Sequence, residues 1–150
     1  MSDPFILLVE DNNKDEILTL RALSKHRVAN RIEVVRDGQE ALDFLFASGM
    51  HKDRDPMDFP IVVLLDLQLP KVGGLQVLER VRSDPRTRVL PVVILTSSSE
   101  ERDVISGYRL GANSYVQKPV GFEEFSHAVA QLGLYWAVLN HPLPAQRTTP

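Results

Sequence analysis

Five polar side chains of this sequence are of the types that handle a phosphoryl group beside a metal ion. They are Glu10, Asp11, Asp66, Thr96 and Lys118. Each lies at or just after the end of a predicted strand, and the strands before Glu10, Asp66 and Thr96 are short apolar runs. Mg2+ prefers oxygen ligands and commonly uses one or two carboxylates together with a phosphate. The three acidic residues therefore form a candidate magnesium site.

Asp66 is the candidate nucleophile, because a carboxylate that attacks a phosphoryl group forms an aspartyl phosphate. Two like charges about 4 Å apart repel by about 4 kcal/mol at an effective dielectric of about 20, so converging carboxylates need a cation. Lys118 and Thr96 are candidate donors to the phosphoryl oxygens. Each residue alone could also be an ordinary member of a solvated turn, a helix cap or a surface loop. Their common placement at strand ends favours a site for phosphoryl transfer.

The elements that must position these residues alternate along the chain. Strands are predicted at residues 5–9, 31–35, 61–65, 91–95 and 113–117. Apolar residues at helical spacing predict the intervening helices, among them 39–48, 100–110 and a last helix from about Phe122. The Asp37-Gly38 pair is predicted as a turn, and 50–59 as a loop.

Five strands alternating with five helices predict a doubly wound α/β domain with a parallel sheet. Ligands of such folds bind outside the carboxyl ends of the strands. We therefore expect the five candidate residues at one edge of the sheet.

Size and charge limit the classes of function. The 150 residues are 43% hydrophobic and 25% charged, which suits one globular domain. A formal net charge of -3 argues against a nucleic-acid binder. The absence of cysteine suits a reducing cytoplasm, and no stretch approaches the roughly 20 apolar residues of a membrane span. We expect a cytoplasmic protein without nucleic-acid or membrane partners.

Taken together, these motifs resemble the response-regulator receiver family. That family carries an acidic pair after strand one, a phosphoacceptor aspartate after strand three, Thr or Ser after strand four, and Lys-Pro after strand five. The matching positions here are Glu10-Asp11, Asp66, Thr96 and Lys118-Pro119. The resemblance implies a flavodoxin-like fold with strand order 2-1-3-4-5 and a switch in a two-component phosphorelay. Such a receiver is no enzyme beyond its own magnesium-dependent phosphorylation and dephosphorylation.

The resemblance also implies roles for particular groups. Asp11 and Asp66 would bind Mg2+ directly, Glu10 largely through water, and the Gln68 main-chain carbonyl would be a further ligand. Mn2+ or Ca2+ would substitute for Mg2+. Lys118-Pro119 would be a cis peptide.

The same analogy assigns the switch. Thr96 would move toward the phosphoryl group and Tyr115 would swing inward behind it, changing the surface of the fourth helix, fifth strand and fifth helix. Tyr115 also has a plain alternative as a half-buried strand aromatic. Gly73-Gly74 departs from the family, which often has Asp or Asn before the second glycine, and this puts the rigidity of the loop in doubt.

A narrower similarity is to small stand-alone regulators paired with phytochrome-type histidine kinases. It rests on the insertion at 50–59, the run 95–98, and an aromatic C-terminal helix leading into a proline-containing tail. It implies a histidine kinase as partner, with a bacteriophytochrome as one candidate. We expect a receiver domain at 5–134 and a C-terminal extension at 135–150.

The last helix also suggests a homodimer. An apolar stripe continues beyond the length that one sheet edge needs, and it includes Phe125, Val129, Leu132 and Trp136. Aromatic residues are enriched at interface cores, which favours a dimer through this stripe together with the fourth helix and fifth strand. The alternative is that Trp136 folds back onto its own domain.

Two other classes of function are weighed against the switch. A magnesium-dependent phosphohydrolase of the haloacid-dehalogenase type normally has a second Asp two residues after the nucleophile, where this chain has Gln68. A receiver fold can also serve only as a constitutive binding module.

Overall fold

Five parallel strands form one sheet in the order β2-β1-β3-β4-β5. The computed structural model describes residues 4–25, 31–97, 101–118 and 123. The strands are β1 (Phe5–Val9), β2 (Arg31–Val35), β3 (Val62–Asp66), β4 (Val92–Thr96) and β5 (Ser114–Gln117). The helices are α1 (Asn13–Lys25), α2 (Gly38–Leu45), α3 (Gly74–Ser83) and α4 (Glu101–Arg109), with a 3-10 turn at Gly49–His51. The predicted fold class and strand order are confirmed.

Both faces of the sheet are covered, as continuous apolar strands require. Side chains of successive strand residues point to opposite faces. In β1, Leu7 and Val9 therefore join the core cluster with α2 and α3, whereas Ile6 and Leu8 join a second cluster with Leu23 of α1. The two clusters fix the sheet between layers of helices, so the strand ends cannot shift relative to one another.

Some element boundaries differ from those expected. The second helix was expected at 39–48 but spans Gly38–Leu45, because Asp37 caps it by accepting a hydrogen bond from the Glu40 N–H at 2.7 Å. The predicted Asp37-Gly38 turn is thus a helix start. The helix ends before Ala47, whose φ of 51° is left-handed.

The insertion at 50–59 packs at the amino edge of the sheet. The Arg54 guanidinium lies 3.7 Å from the ring centroid of Phe44 and donates hydrogen bonds to the carbonyls of Phe44 and Asp58. It also lies 5.9 Å from the ring centroid of Phe5, the first residue of β1. The insertion is therefore at the opposite end of β1 from the candidate acidic residues.

Several expectations fall outside the described residues. They are the fifth helix beyond position 123, the peptide bond to Pro119, the extension 135–150 and the dimer stripe of Phe125, Val129, Leu132 and Trp136. Among the described helices, none has the length and apolar character needed to cross a bilayer.

Arg82 of α3 connects three segments near the amino end of β4. Its guanidinium donates to the carbonyls of Arg88 and Leu90 at 3.1 and 2.7 Å, and to the Gly111 carbonyl at 2.7 and 2.9 Å. It also donates to Asn113 Oδ1 at 2.9 Å, which accepts the N–H of the first residue of β4 as well. Arg82 thus satisfies carbonyls that would otherwise lack partners.

We expect Arg82→Ala to lower the free energy of unfolding by about 3 kcal/mol, because it removes charged donors from partly buried carbonyls. Arg88→Ala is the matched control, since residue 88 is exposed and contributes its main-chain carbonyl to the contact. Urea unfolding measures both variants. Equal stability of the two variants would contradict a structural role for the Arg82 guanidinium.

Candidate functional site

The predicted residues come together at the carboxyl edge of the sheet. Glu10 directly follows β1, Asp66 and Thr96 are the last residues of β3 and β4, and Lys118 directly follows β5. The parallel register pairs Asp66 with Leu95 and so brings adjacent strand ends level. The main chain of Thr96 lies at this edge, and its side chain is outside what the structure describes.

Three carboxylates form a compact acidic cluster, which we define as Glu10, Asp11 and Asp66. One carboxylate oxygen from each of the three residues lies within 4.8 Å of the other two. Glu10 and Asp66 are 1% and 5% exposed, whereas Asp11 is open to solvent. The cluster therefore combines a buried wall with an open side through which an ion and its waters can enter.

Main-chain donors orient the two buried carboxylates. The Gln68 N–H donates to Asp66 Oδ1 at 3.1 Å, and the Asn12 N–H donates to Glu10 Oε2 at 3.2 Å. Each contact leaves the second oxygen of that carboxylate facing the site. A role for the Gln68 carbonyl as a metal ligand stays a prediction.

Lys118 is surrounded by carboxylates. Its ammonium nitrogen donates to Asp66 Oδ2 and Asp15 Oδ2, both at 3.0 Å, and lies 2.6 Å from Glu10 Oε1. The lysine side chain is 8% exposed. It thus provides a buried positive charge next to the candidate nucleophile.

Asp15 is a site residue that the sequence analysis missed. It lies in the first turn of α1, where an acidic residue is commonly explained by the helix dipole. No signal in the sequence identified it, because its partner Lys118 lies 103 positions further along the chain.

The electrostatics of the site are those of carboxylates crowded around one ammonium. The pKa of Glu10 is raised to about 7, first by burial and then by the hydrogen bond and charge of Asp66, while Lys118 acts in the opposite direction. Burial alone would lower the pKa of Lys118, but Glu10, Asp15 and Asp66 raise it above its usual range. The ammonium therefore keeps its proton throughout the physiological range.

The cluster suits a hard divalent cation. Glu10 Oε1 is buried, and the Lys118 ammonium lies 2.6 Å from it as an ion-pair partner. The three carboxylates of the cluster carry more negative charge than this one ammonium can neutralise, and a divalent cation would offset the remainder. All donors in the cluster are carboxylate oxygens, the type that Mg2+, Mn2+ and Ca2+ accept.

The loop after β3 is closed despite its two glycines. The Gly74 N–H donates to the Leu67 carbonyl at 3.0 Å, and the Gly73 N–H donates to Gln76 Oε1 at 3.0 Å. The Gln76 side chain thus closes the start of α3, next to the position where the family that this sequence resembles often has Asp or Asn. A Cβ on Gly74 would lie 2.3 Å from the Asp66 carbonyl oxygen, so this position needs glycine.

Tyr115 lies in β5 beside Ile94 and is half-buried against the core cluster that includes α2 and α3. This position agrees equally with the switch role and with the plain role of a strand aromatic. Movement of Tyr115 or Thr96 stays a prediction.

Known proteins resemble this chain in sequence and in fold. The family described as "Response regulator receiver domain" matches residues 6–130. The solved bacteriophytochrome response regulator AtBRR is 51% identical with a TM-score of 0.83, covering 94% of this chain and all of that one. The Mn2+-bound form of Rcp1, from Synechocystis, is 34% identical with a TM-score of 0.73, covering 95% of this chain and 99% of that one. The probable methanogenesis regulatory protein FilR2 of Methanothrix harundinacea is 43% identical over 95% of this chain and 91% of that protein.

We expect Gly74→Ala to lower the free energy of unfolding by about 3 kcal/mol, because the methyl group would overlap main-chain atoms beside Asp66. Gly73→Ala is the matched control: its nearest neighbour would be Gln76 Oε1 at 3.7 Å, an ordinary contact. That variant should stay within about 1 kcal/mol of the wild type. Denaturant unfolding of both distinguishes the close approach from a general need for loop flexibility, which would make the two losses similar.

Proposed function

Because this chain belongs to the response-regulator receiver family, a family of phosphoacceptors in two-component signalling, we propose that Asp66 accepts a phosphoryl group from a histidine kinase. The observation that carries this proposal is the 3.0 Å hydrogen bond from Lys118 to Asp66 within a cluster of carboxylates that fits a cation. The proposed nucleophile, a charge donor and a candidate cation site would thus meet at the carboxyl edge of the sheet.

Asp66 is the best nucleophile of the cluster. A smaller fraction of Glu10 is ionised, because burial and Asp66 raise its pKa. Asp66 is held at Oδ1 by the Gln68 N–H, which orients the carboxylate without removing Oδ2 from the site. A fixed carboxylate loses less entropy when it reacts than a mobile one.

The transfer step forms one bond and breaks one. A carboxylate oxygen of Asp66 bonds to phosphorus while the bond from phosphorus to the kinase histidine nitrogen breaks, and that nitrogen keeps the electron pair. Negative charge on the phosphoryl oxygens needs donors that are already in place. Lys118 supplies one such donor, and the Thr96 hydroxyl is proposed as a second.

We propose Mg2+ as the physiological cation, held by Asp11 and Asp66 directly, with Glu10 acting largely through water and the Gln68 main-chain carbonyl as a further ligand. When bound, the cation neutralises the carboxylates and the phosphoryl oxygens. Support comes from the oxygen donor set and from the Mn2+ bound to the related Rcp1. Mn2+ or Ca2+ is expected to substitute, since both accept the same ligands.

The proposed phosphodonor is a phytochrome-type histidine kinase. Its support is the 51% identity to AtBRR, a bacteriophytochrome response regulator, over nearly the whole of both chains. We further propose that output passes through protein contacts, including a homodimer formed by α4, β5 and the chain beyond residue 122. Thr96 and Tyr115 would transmit the change from the site to that surface.

The variant Asp66→Asn tests Asp66 as the phosphoacceptor. Asp66→Asn should abolish the magnesium-dependent gain of one phosphoryl group on incubation with acetyl phosphate, because the amide cannot act as the nucleophile. Intact-protein mass spectrometry measures the adduct. Asp53→Asn is the control, since Asp53 is an exposed residue of the insertion and should be labelled like the wild type. An adduct that survives in Asp66→Asn would refute the assignment.

The variant Lys118→Ala tests Lys118 as a hydrogen-bond donor to the phosphoryl oxygens. Lys118→Ala should slow phosphorylation by acetyl phosphate about 100-fold, the usual effect of removing a donor to transition-state charge. It should also impair any dimerisation that depends on phosphorylation, measured by light scattering with and without beryllofluoride. A thermal melt checks that the variant is folded. Wild-type labelling and dimerisation in a folded Lys118→Ala variant would contradict the role given to Lys118.

A further inference from the structure

We propose that Asp15 is a positioning residue for this site. It accepts a hydrogen bond from the Lys118 ammonium and balances part of its charge, which leaves Glu10 and Asp66 available to a divalent cation. The inference rests on the proposed function, because it concerns the same cation and the same acceptor.

The contacts of Lys118 divide into two kinds. An ammonium has three N–H donors, and here three carboxylates surround it at 2.6 to 3.0 Å. Glu10 and Asp66 belong to the acidic cluster. Asp15 does not belong to that cluster. Among the described contacts of Lys118, Asp15 is thus the partner that an incoming cation would not recruit.

The local structure of the α1 N-terminus leaves the Asp15 carboxylate out of the helix cap. Asn12 caps the helix by accepting the Asp15 N–H at 3.0 Å. In a reciprocal capping box, the side chain three residues after the cap would accept the N–H of the cap residue. Here the Asn12 N–H donates to Glu10 Oε2 instead. The Asp15 carboxylate is therefore not used in the cap and accepts a hydrogen bond from Lys118.

Charge explains the effect on cation binding. Without Asp15, the ammonium would interact with Glu10 and Asp66 alone, and a cation would have to displace it from both. Once a cation held those two carboxylates, the lysine charge would lack a partner and would repel the cation, with little solvent screening because Lys118 is 8% exposed. Asp15 itself is 34% exposed at its side chain, so its neutralisation leaves no deeply buried polar group unpaired.

The test compares Asp15→Asn with Glu16→Gln. Glu16 is the next residue of the same helix turn, and its change removes the same charge from a carboxylate that pairs with Arg36 at 2.9 Å. Isothermal titration calorimetry of the full chain with Mn2+ should give about tenfold weaker binding for Asp15→Asn, as is usual when a group that supports a metal site is removed. Glu16→Gln should change the affinity less than about twofold, and Asp15→Glu should recover part of the loss.

A second readout needs no metal. In metal-free protein, the nitrogen NMR signal of the Lys118 ammonium should shift in Asp15→Asn and stay in place in Glu16→Gln. Wild-type Mn2+ affinity in Asp15→Asn, or an equal loss in Glu16→Gln, would overturn the proposal. A wild-type chain that binds Mn2+ but is not phosphorylated on Asp66 would refute the proposed function instead, while the comparison of affinities still decides the role of Asp15.

Discussion

The Lys118 ammonium is 8% exposed and lies within 3.0 Å of carboxylate oxygens from three different parts of the chain. Glu10 follows β1, Asp15 belongs to α1, and Asp66 ends β3. Opposite charges at such distances interact strongly when solvent is excluded, and any one of them left alone would be costly to bury. The ammonium and the carboxylates stabilise one another, so the strand ends and the start of α1 must be held in register.

The packing supplies that register. Alternate residues of β1 enter separate core clusters on the two faces of the sheet, and a slip by one residue would exchange them. Gly74 lets the start of α3 approach the main chain of Asp66, and Gln76 closes the turn with its side chain. The polar site is therefore a consequence of apolar packing combined with one position that tolerates no side chain.

Much of this could be predicted from the sequence, because β1, β3 and β4 are short apolar runs that end at or next to a carboxylate or hydroxyl side chain. The runs before Glu10 and Asp66 located the edge of the sheet, and the parallel topology then brought Lys118 to it. Asp15 could not be distinguished from an ordinary acid of a first helical turn. Its contact joins positions 15 and 118, and such a pairing depends on tertiary structure. The guanidinium contacts of Arg82 to Gly111 and Asn113 were missed for the same reason. The Asp37 cap is a local contact with the Glu40 N–H, and it was missed because the Asp37-Gly38 pair was interpreted as a turn.

The position of the insertion has a consequence for the diversity of such proteins. Arg54 fixes this segment to Phe44 and Phe5 at the amino edge of the sheet, whereas the carboxylates lie at the carboxyl edge. The full length of β1 separates the two, and Met50 and Met57 of the insertion are 75% and 70% exposed. The length and composition of this segment can therefore vary among related proteins without altering the pKa values of the acceptor site. The same separation makes the insertion a place to attach a reporter group.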